Sequence, residues 1–323
     1  MHIPDGFINV ATATGAGVVA VGGLGASLRR TGQDLAERQI PFAGLTAAFI
    51  FAVQMLNFPV AAGTSGHLLG GALAALLLGP WLGALAVTVV VVVQALMFAD
   101  GGVIALSLNV LNMALVTALV GWGVFRGLMK ALPKGAPTVM IVSMIAAGIS
   151  VVASSLGFVL EYAIGGEGGA PLQTVFQAMV GVHALIGIGE GIITALAVGA
   201  VLAVRPDLVK GVSDLNLQRA DTAPSRGSII TFIVGGLIVA LALVFVVAPI
   251  ASGDPDGLER VAIDTGIIDS AQDHTVGGPL ADYGVSGIES ERTGTILAGA
   301  IGVAATFVVG LILATLLRRR RSA

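Results

Sequence analysis

Apolar stretches long enough to cross a bilayer alternate along this chain with short polar segments. A spanning helix needs about 20 apolar residues, and runs near that length fall at about 7–28, 40–60, 81–99, 103–128, 137–160, 177–204, 228–250 and 294–317. A shorter run, Leu68 to Leu78, stops at Gly79-Pro80-Trp81, which reads as a tight turn. It is read as a short span, with a re-entrant segment as the alternative. The pattern predicts an all-α polytopic membrane protein: seven spans in residues 1–204, a cytoplasmic linker at 205–227, and a two-span hairpin in residues 228–323.

Composition agrees. Hydrophobic residues make up 56% of 323 positions and charged residues only 11%, against about 25% charged in soluble domains. Cysteine is absent, so any transition-metal site must use histidine, carboxylate or main-chain nitrogen. The net charge of −3 matters less than its distribution. With the N-terminus outside, every Lys and Arg except Arg260 and Arg292 falls on the inner side, as the positive-inside rule asks. Removing the short span would reverse the clusters at Arg126 and beyond. The same orientation puts all four histidines outside or in the outer half of the membrane.

The last polar loop, 251–292, carries Asp254, Asp256, Glu259, Asp264, Asp269, Asp273, Asp282, Glu289 and Glu291 against Arg260 and Arg292 alone. Such a loop would concentrate cations; an ordinary solvated loop is the competing reading. Many of the 46 glycines lie inside spans, where small residues let helices approach closely.

The opening Met1-His2-Ile3-Pro4-Asp5-Gly6 has no basic n-region, so no secretory signal is expected there. The α-amine, the residue-2 backbone nitrogen and the His2 imidazole can close fused chelate rings on one ion, and a tetragonal nitrogen set suits Ni(II) or Cu(II). A loose, solvated terminus is the alternative. Asp5 is close enough in sequence to orient His2 or donate an oxygen, or it caps the first helix. Gly63-Thr64-Ser65-Gly66-His67 stands where a loop meets the short span, so Asn57, Thr64 and Ser65 are candidates to fix the His67 tautomer. His183 and Glu190 lie seven residues apart in one span, about two turns and 10 Å. Ionisable groups in a span line a site or pair with something, so both are candidates for gating or support. Gln94 and Asn109 are candidates for a polar network beneath the site. No phosphate-binding loop, metalloprotease motif or nucleophile elbow occurs, so neither bound nucleotide nor an enzymatic activity is expected on this chain.

Taken together, Met1 to Gly6, Asn57-Phe58-Pro59, Gly63 to Leu69 and Gly181 to Thr194 resemble the CbiM/NikM substrate-specificity components of energy-coupling-factor transporters for cobalt and nickel. Pro255-Asp256-Gly257-Leu258-Glu259 and Pro279-Leu280-Ala281-Asp282-Tyr283 resemble the small CbiN/NikN component, the PDGLE family. The resemblance implies a seven-helix specificity-component core fused to a two-helix hairpin with an acidic extracytoplasmic loop that assists metal loading. It implies Ni(II) or Co(II) as transported substrate, held by Met1, His2 and His67. It also implies a CbiQ/NikQ-like coupling subunit and CbiO/NikO-like ATPase subunits as partners in a prokaryotic inner membrane, with no nucleic acid involved. Two other readings remain at this stage. A proton-coupled secondary transporter would use His183 and Glu190 for protons; a membrane metal sensor would not transport at all.

Overall fold

A computed structural model describes residues 1–35, 37–61, 63–213 and 226–322. Asp214, Arg219 and Pro224 of the predicted linker lie outside the described residues. Seven helical stretches are long and apolar enough to cross a membrane: Val10–Gly32, Pro80–Phe98, Leu106–Ala131, Ala136–Gly165, Leu172–Val204, Gly227–Ile250 and Glu291–Arg319. The chain is a multi-pass helical membrane protein.

Local chemistry sets the ends of these elements. Helix α1 (Val10–Asp34) starts where the Asn9 side chain accepts from the Thr12 backbone N–H, a standard N-cap. Helix α2 (Gln39–Gln54) is shorter than the apolar run from 40 to 60. Its continuation turns instead into a hairpin of β1 (Phe58–Ala61) and β2 (Thr64–Gly66), with Phe58 opposite Gly66 and Pro59 opposite Ser65. Periodicity gave no warning of this hairpin. Helix α4 (Pro80–Val93) begins with proline in its first turn, after Gly79 has turned the chain at φ +87°.

The run Leu68 to Leu78 is only partly helical. Helix α3 covers Gly71–Leu78, about 12 Å long at 1.5 Å per residue, and so cannot cross a 30 Å hydrocarbon layer alone. Every residue of α3 is buried by protein. Its C-terminal neighbour Gly79 nonetheless lies with Arg30, Gln39 and Lys210 at the end opposite His67. The non-helical stretch Leu68–Gly70 precedes α3, tolerated at this depth because protein rather than lipid surrounds it.

The remaining rods are α5 (Leu106–Asn109) running through a π-helical stretch, Val110–Val116, into α6 (Thr117–Ala131), then α7 (Ala136–Gly165), α8 (Leu172–Val204), α9 (Arg226–Ala242) and α11 (Glu291–Ser322). A second π-helical turn, Gln94–Phe98, ends α4. Small residues make the contacts: a Cβ at Gly148 or Gly187 would strike the backbone of the other, so α7 and α8 touch main chain to main chain. The C-terminal hairpin docks in the same way, with Gly44 of α2 against the Phe307 backbone and Gly302 against the Phe51 ring.

The start of the predicted linker is not a solvated tether, because Leu208, Val209 and Val212 are buried. Nor is the acidic loop an ordinary solvated one. It contains α10 (Gly257–Thr265), capped by Asp256 and closed by Gly266 at φ +79°, with Leu258, Val261 and Ala262 buried.

Candidate metal site

Residues 1–9 fold inward rather than trailing into solvent, and Met1 is only 3% exposed. Both faces of the Ile3 peptide are held: its N–H donates to Asn109 Oδ1 at 2.7 Å, and its carbonyl accepts from Asn109 Nδ2 at 3.0 Å. The same carbonyl accepts from Gly102 N at 2.9 Å. The Asp5 carboxylate accepts from Val103 N at 3.1 Å and Ala105 N at 2.8 Å, so it neither orients His2 nor caps α1. It clamps the head to the loop after α4. Asn109 sits where α5 passes into the π-helical stretch, a distortion often found at functional sites.

The hairpin brings His67 to the same place. Its Nδ1–H donates to the Leu68 carbonyl at 3.0 Å, which fixes the tautomer and leaves the Nε2 lone pair available. The expected tautomer-setting partners act elsewhere. Ser65 Oγ donates to the Asp254 carbonyl at 2.7 Å, Asn57 accepts from Ser252 N through its carbonyl at 2.8 Å, and Thr64 is buried in β2. Glu190 accepts from Leu69 N at 2.6 Å and Gly70 N at 3.1 Å, holding the non-helical segment in which His67 sits. His183 Nδ1–H donates to Met179 O at 2.8 Å. Its Nε2 has no hydrogen-bond partner among the described residues, and the residue lies beside Met1 and His67 around a narrow crevice.

The Met1 amine contacts His67 Nε2 and donates to Asp256 Oδ2 at 2.6 Å. That oxygen is also 3.3 Å from His67 Nε2. The other oxygen of Asp256 accepts from Leu258 N at 2.8 Å and Glu259 N at 2.9 Å, so the start of α10 aims the carboxylate. Burial opposes the Asp256 charge, but the terminal ammonium and His67 outweigh it and hold the carboxyl well below its ordinary range. Asp256 is absent from the residues singled out by sequence. Its signal was the Pro255-to-Glu259 motif, which the sequence offers as loop acidity and as a family resemblance but not as a candidate site residue.

His2 completes the cluster with its ring stacked on His67, centroids 5.1 Å apart. Its Nδ1 faces Asp100 Oδ1 at 3.0 Å and its Nε2 faces Gln94 Oε1 at 3.2 Å. Burial is the largest influence on the ring and outweighs Asp100, lowering its pKa to about 4. At neutral pH the ring therefore has one proton for two acceptors, and one lone pair is left against an oxygen. A cation bound there relieves that contact. Asp100 is itself held by Tyr283, whose O–H donates to Asp100 Oδ2 at 2.6 Å while its oxygen accepts from Gln94 Nε2 at 3.1 Å. Burial first, and then Asp100, raise the Tyr283 phenol well above its usual range, so it remains a donor. Asp282 and Tyr283 both have positive φ, +52° and +56°, a costly backbone for non-glycine residues that aims the phenol inward.

A cavity of about 490 Å³ opens over this cluster, lined by His2, His67, Asp100, Asp254, Asp256, Glu259 and Asp282 among others. Negative charge is dense enough that burial and Asp256 together push the Glu259 carboxyl up. Such a mouth draws in cations. Among the described residues no three His, Asp or Glu side chains form a metal cage, so a metal held here would need a main-chain nitrogen as well. The structure brings the Met1 amine and His67 Nε2 together and sets the His2 ring beside them; closing a chelate through His2 Nδ1 requires that atom to leave Asp100.

Comparison with known proteins gives two family matches. Residues 2–208 match the model described as the CbiM cobalt uptake substrate-specific transmembrane region, and residues 230–319 match the PDGLE domain. A chain of Archaeoglobus fulgidus with the provisional name fused nickel transport protein NikMN is 35% identical, covering 97% of this chain and 98% of the relative. The fused nickel transport protein NikMN of Rhodobacter capsulatus is 29% identical, with 98% of each chain covered. A crystal structure of a truncated transition-metal transporter matches at 30% identity and a TM-score of 0.56, covering 63% of this chain and 99% of that one.

Proposed function

Since the chain belongs to the CbiM family of cobalt-uptake substrate-specific regions and carries a PDGLE domain behind it, we propose that it is the substrate-capturing subunit of an importer for Ni(II) or Co(II). Met1 and His67, with His2, hold the ion through the terminal amine, the residue-2 backbone nitrogen, a His2 ring nitrogen and His67 Nε2. The observation that carries this reading is the meeting of the buried Met1 amine with Nε2 of His67, a residue that lines the acidic cavity. A nitrogen donor set of this kind favours late first-row divalent ions over Mg or Ca.

Each residue then has a task. The acidic mouth collects the cation. Asp256 pairs with the terminal ammonium, and its charge offsets that of the ion when the amine gives up its proton. Asp5, Asn109 and Glu190 fix the two ligand-bearing segments, while Asp100, Gln94 and Tyr283 set the His2 ring. Glu190 is committed to two backbone N–H groups, which argues against its serving as a proton relay and so against a secondary transporter. The PDGLE part assists loading by carrying Asp256 into the site. Release inward is driven by ATP hydrolysis on separate cytoplasmic ATPase subunits, acting through a transmembrane coupling subunit. The basic clusters set the N-terminus on the extracytoplasmic side and the C-terminus in the cytoplasm of a prokaryotic cell, in its inner membrane.

The test is metal content of the purified chain with Met1 at its terminus, with Ni, Co, Zn and Cu in competition. One equivalent of Ni or Co, lost on adding a residue before Met1, is the expected result. Unchanged affinity in both the extended chain and His2→Ala would end the proposal. Uptake in cells lacking the ATPase subunits, abolished by collapsing the proton gradient, would favour the secondary transporter instead.

A further inference from the structure

At the end opposite the histidines, a groove of about 760 Å³ opens between α2, α8 and α9, lined by both parts of the chain. Its walls are apolar, with Phe42, Phe49 and Leu77 from the first part and Phe232 and Val239 from the second. The α9 wall runs from Ser228 to Val239, about 16 Å at 1.5 Å per residue, close to the depth of one leaflet of a 30 Å hydrocarbon core. Gly235 lies on this wall, and a Cβ there would meet nothing within 4 Å. The groove is therefore a notch rather than a packed seam.

One end of the groove holds Arg205, only 6% exposed. Its Nε and Nη2 fork onto Asp207, both at 2.8 Å, and its guanidinium lies 5.7 Å from the Phe232 ring centroid. The third nitrogen, Nη1, is buried with no hydrogen-bond partner among the described residues. A buried cationic N–H without an acceptor is costly, and a guanidinium edge suits a phosphate oxygen. Arg38 also approaches Asp207, at 3.8 Å. Among the described residues Asp207 is the carboxylate that faces both guanidinium groups, one negative charge against two positive ones. A donor with a positive charge at one end of a leaflet-deep apolar slot is complementary to an amphiphile with an anionic head.

We propose that this groove holds one phospholipid, with a phosphodiester oxygen accepting from Arg205 Nη1 and an acyl chain lying past Gly235 between α2 and α9. The site uses none of the residues assigned to the metal, so it stands or falls independently.

Native mass spectrometry of the full chain tests it, after exchange into detergent with phosphatidylglycerol, phosphatidylcholine or diacylglycerol. One retained phospholipid is expected, phosphatidylglycerol held more firmly than phosphatidylcholine because of the residual positive charge, and diacylglycerol not retained. Arg205→Gln should weaken retention by roughly tenfold, the scale of one charge-assisted hydrogen bond. Gly235→Leu fills the notch while leaving the Arg205–Asp207 fork in place; it should lose the lipid and keep its metal content. Retention at the wild-type level in Gly235→Leu overturns the proposal whatever Arg205→Gln does. Equal retention of diacylglycerol and phosphatidylglycerol overturns it too. So does a Gly235→Leu chain that keeps its lipid but no longer co-purifies with partner subunits, because the occupant would then be a partner helix.

Discussion

The junction between the two parts of the chain contains two cavities built on opposite terms. Near the histidines the second part enters as a loop, and Asp254, Pro255 and Asp256 are fixed by Ser65, the terminal amine and the α10 backbone. Polar groups there meet one another at hydrogen-bond distance, so small shifts break charge pairs. At the other end the second part enters as α9, where Gly235 leaves room and Gly236 packs closely against the Leu45 side chain. The first cavity has directional chemistry of the kind an ion would need; the second has volume and, among the described residues, the unpartnered Arg205 Nη1 at one end. One interface can therefore be rigid at the substrate end and adaptable at the other.

The comparison breaks most sharply at the terminal amine. Adding one residue before Met1, or His2→Ala, removes a donor from the chelate and should lower Ni(II) affinity by roughly 100-fold or more, beyond the 10–100-fold typical of supporting groups. Lipid retention at the other cavity should not change. Titration calorimetry paired with native mass spectrometry reads both. Next in size is acidity: nitrogen ligands must lose protons before they bind, so affinity should climb with pH across the neutral range, by roughly tenfold per unit for each proton released. His2, with its pKa lowered to about 4, is already neutral in that range and adds nothing to the slope.

Asp256→Asn is expected to have a smaller effect. Asparagine still caps α10, so the fold survives, but the charge that offsets the ion is gone; roughly tenfold weaker binding is expected. Unchanged binding would mean that the carboxylate serves the cap alone. The acid response of the N-terminal head concerns its docking rather than metal affinity. The unfolded ring takes up a proton below about pH 6.5, whereas the buried ring resists until about 4. Docking of the head should therefore weaken as pH falls through that window, and be unaffected above it. Hydrogen exchange at the Ile3 amide, which is bonded to Asn109, reports the change directly.

The helical class and the position of most spans were legible from hydrophobicity because lipid forces each crossing segment to satisfy its own backbone. His2 and His67 stood out because few polar groups survive in such a chain. The hairpin Phe58–Gly66 did not, since its residues continue an apolar run and only Pro59 and Gly63 mark a break. The short length of α3 escaped for a similar reason: Leu68 and Leu69 are apolar whether helical or extended. Asp5 looked like a cap or a ligand from its place beside His2, yet its partners Val103 and Ala105 are far along the chain. Asp100 has no local signal and Tyr283 stands out only within the Pro279-to-Tyr283 motif, because each matters through a partner on another element.

By itself, then, the sequence determined the membrane-spanning class, the clustering of basic residues at one end, and a terminal group with the right nitrogens to chelate a metal. These follow from composition and covalent spacing, which hold in any conformation. Only the tertiary structure decided that the Met1 amine meets His67, that Asp256 from the far part of the chain reaches both, and that Arg205 keeps a donor without a partner among the described residues in an apolar groove. Those facts depend on distances between residues remote in sequence, and close packing rather than local preference sets such distances.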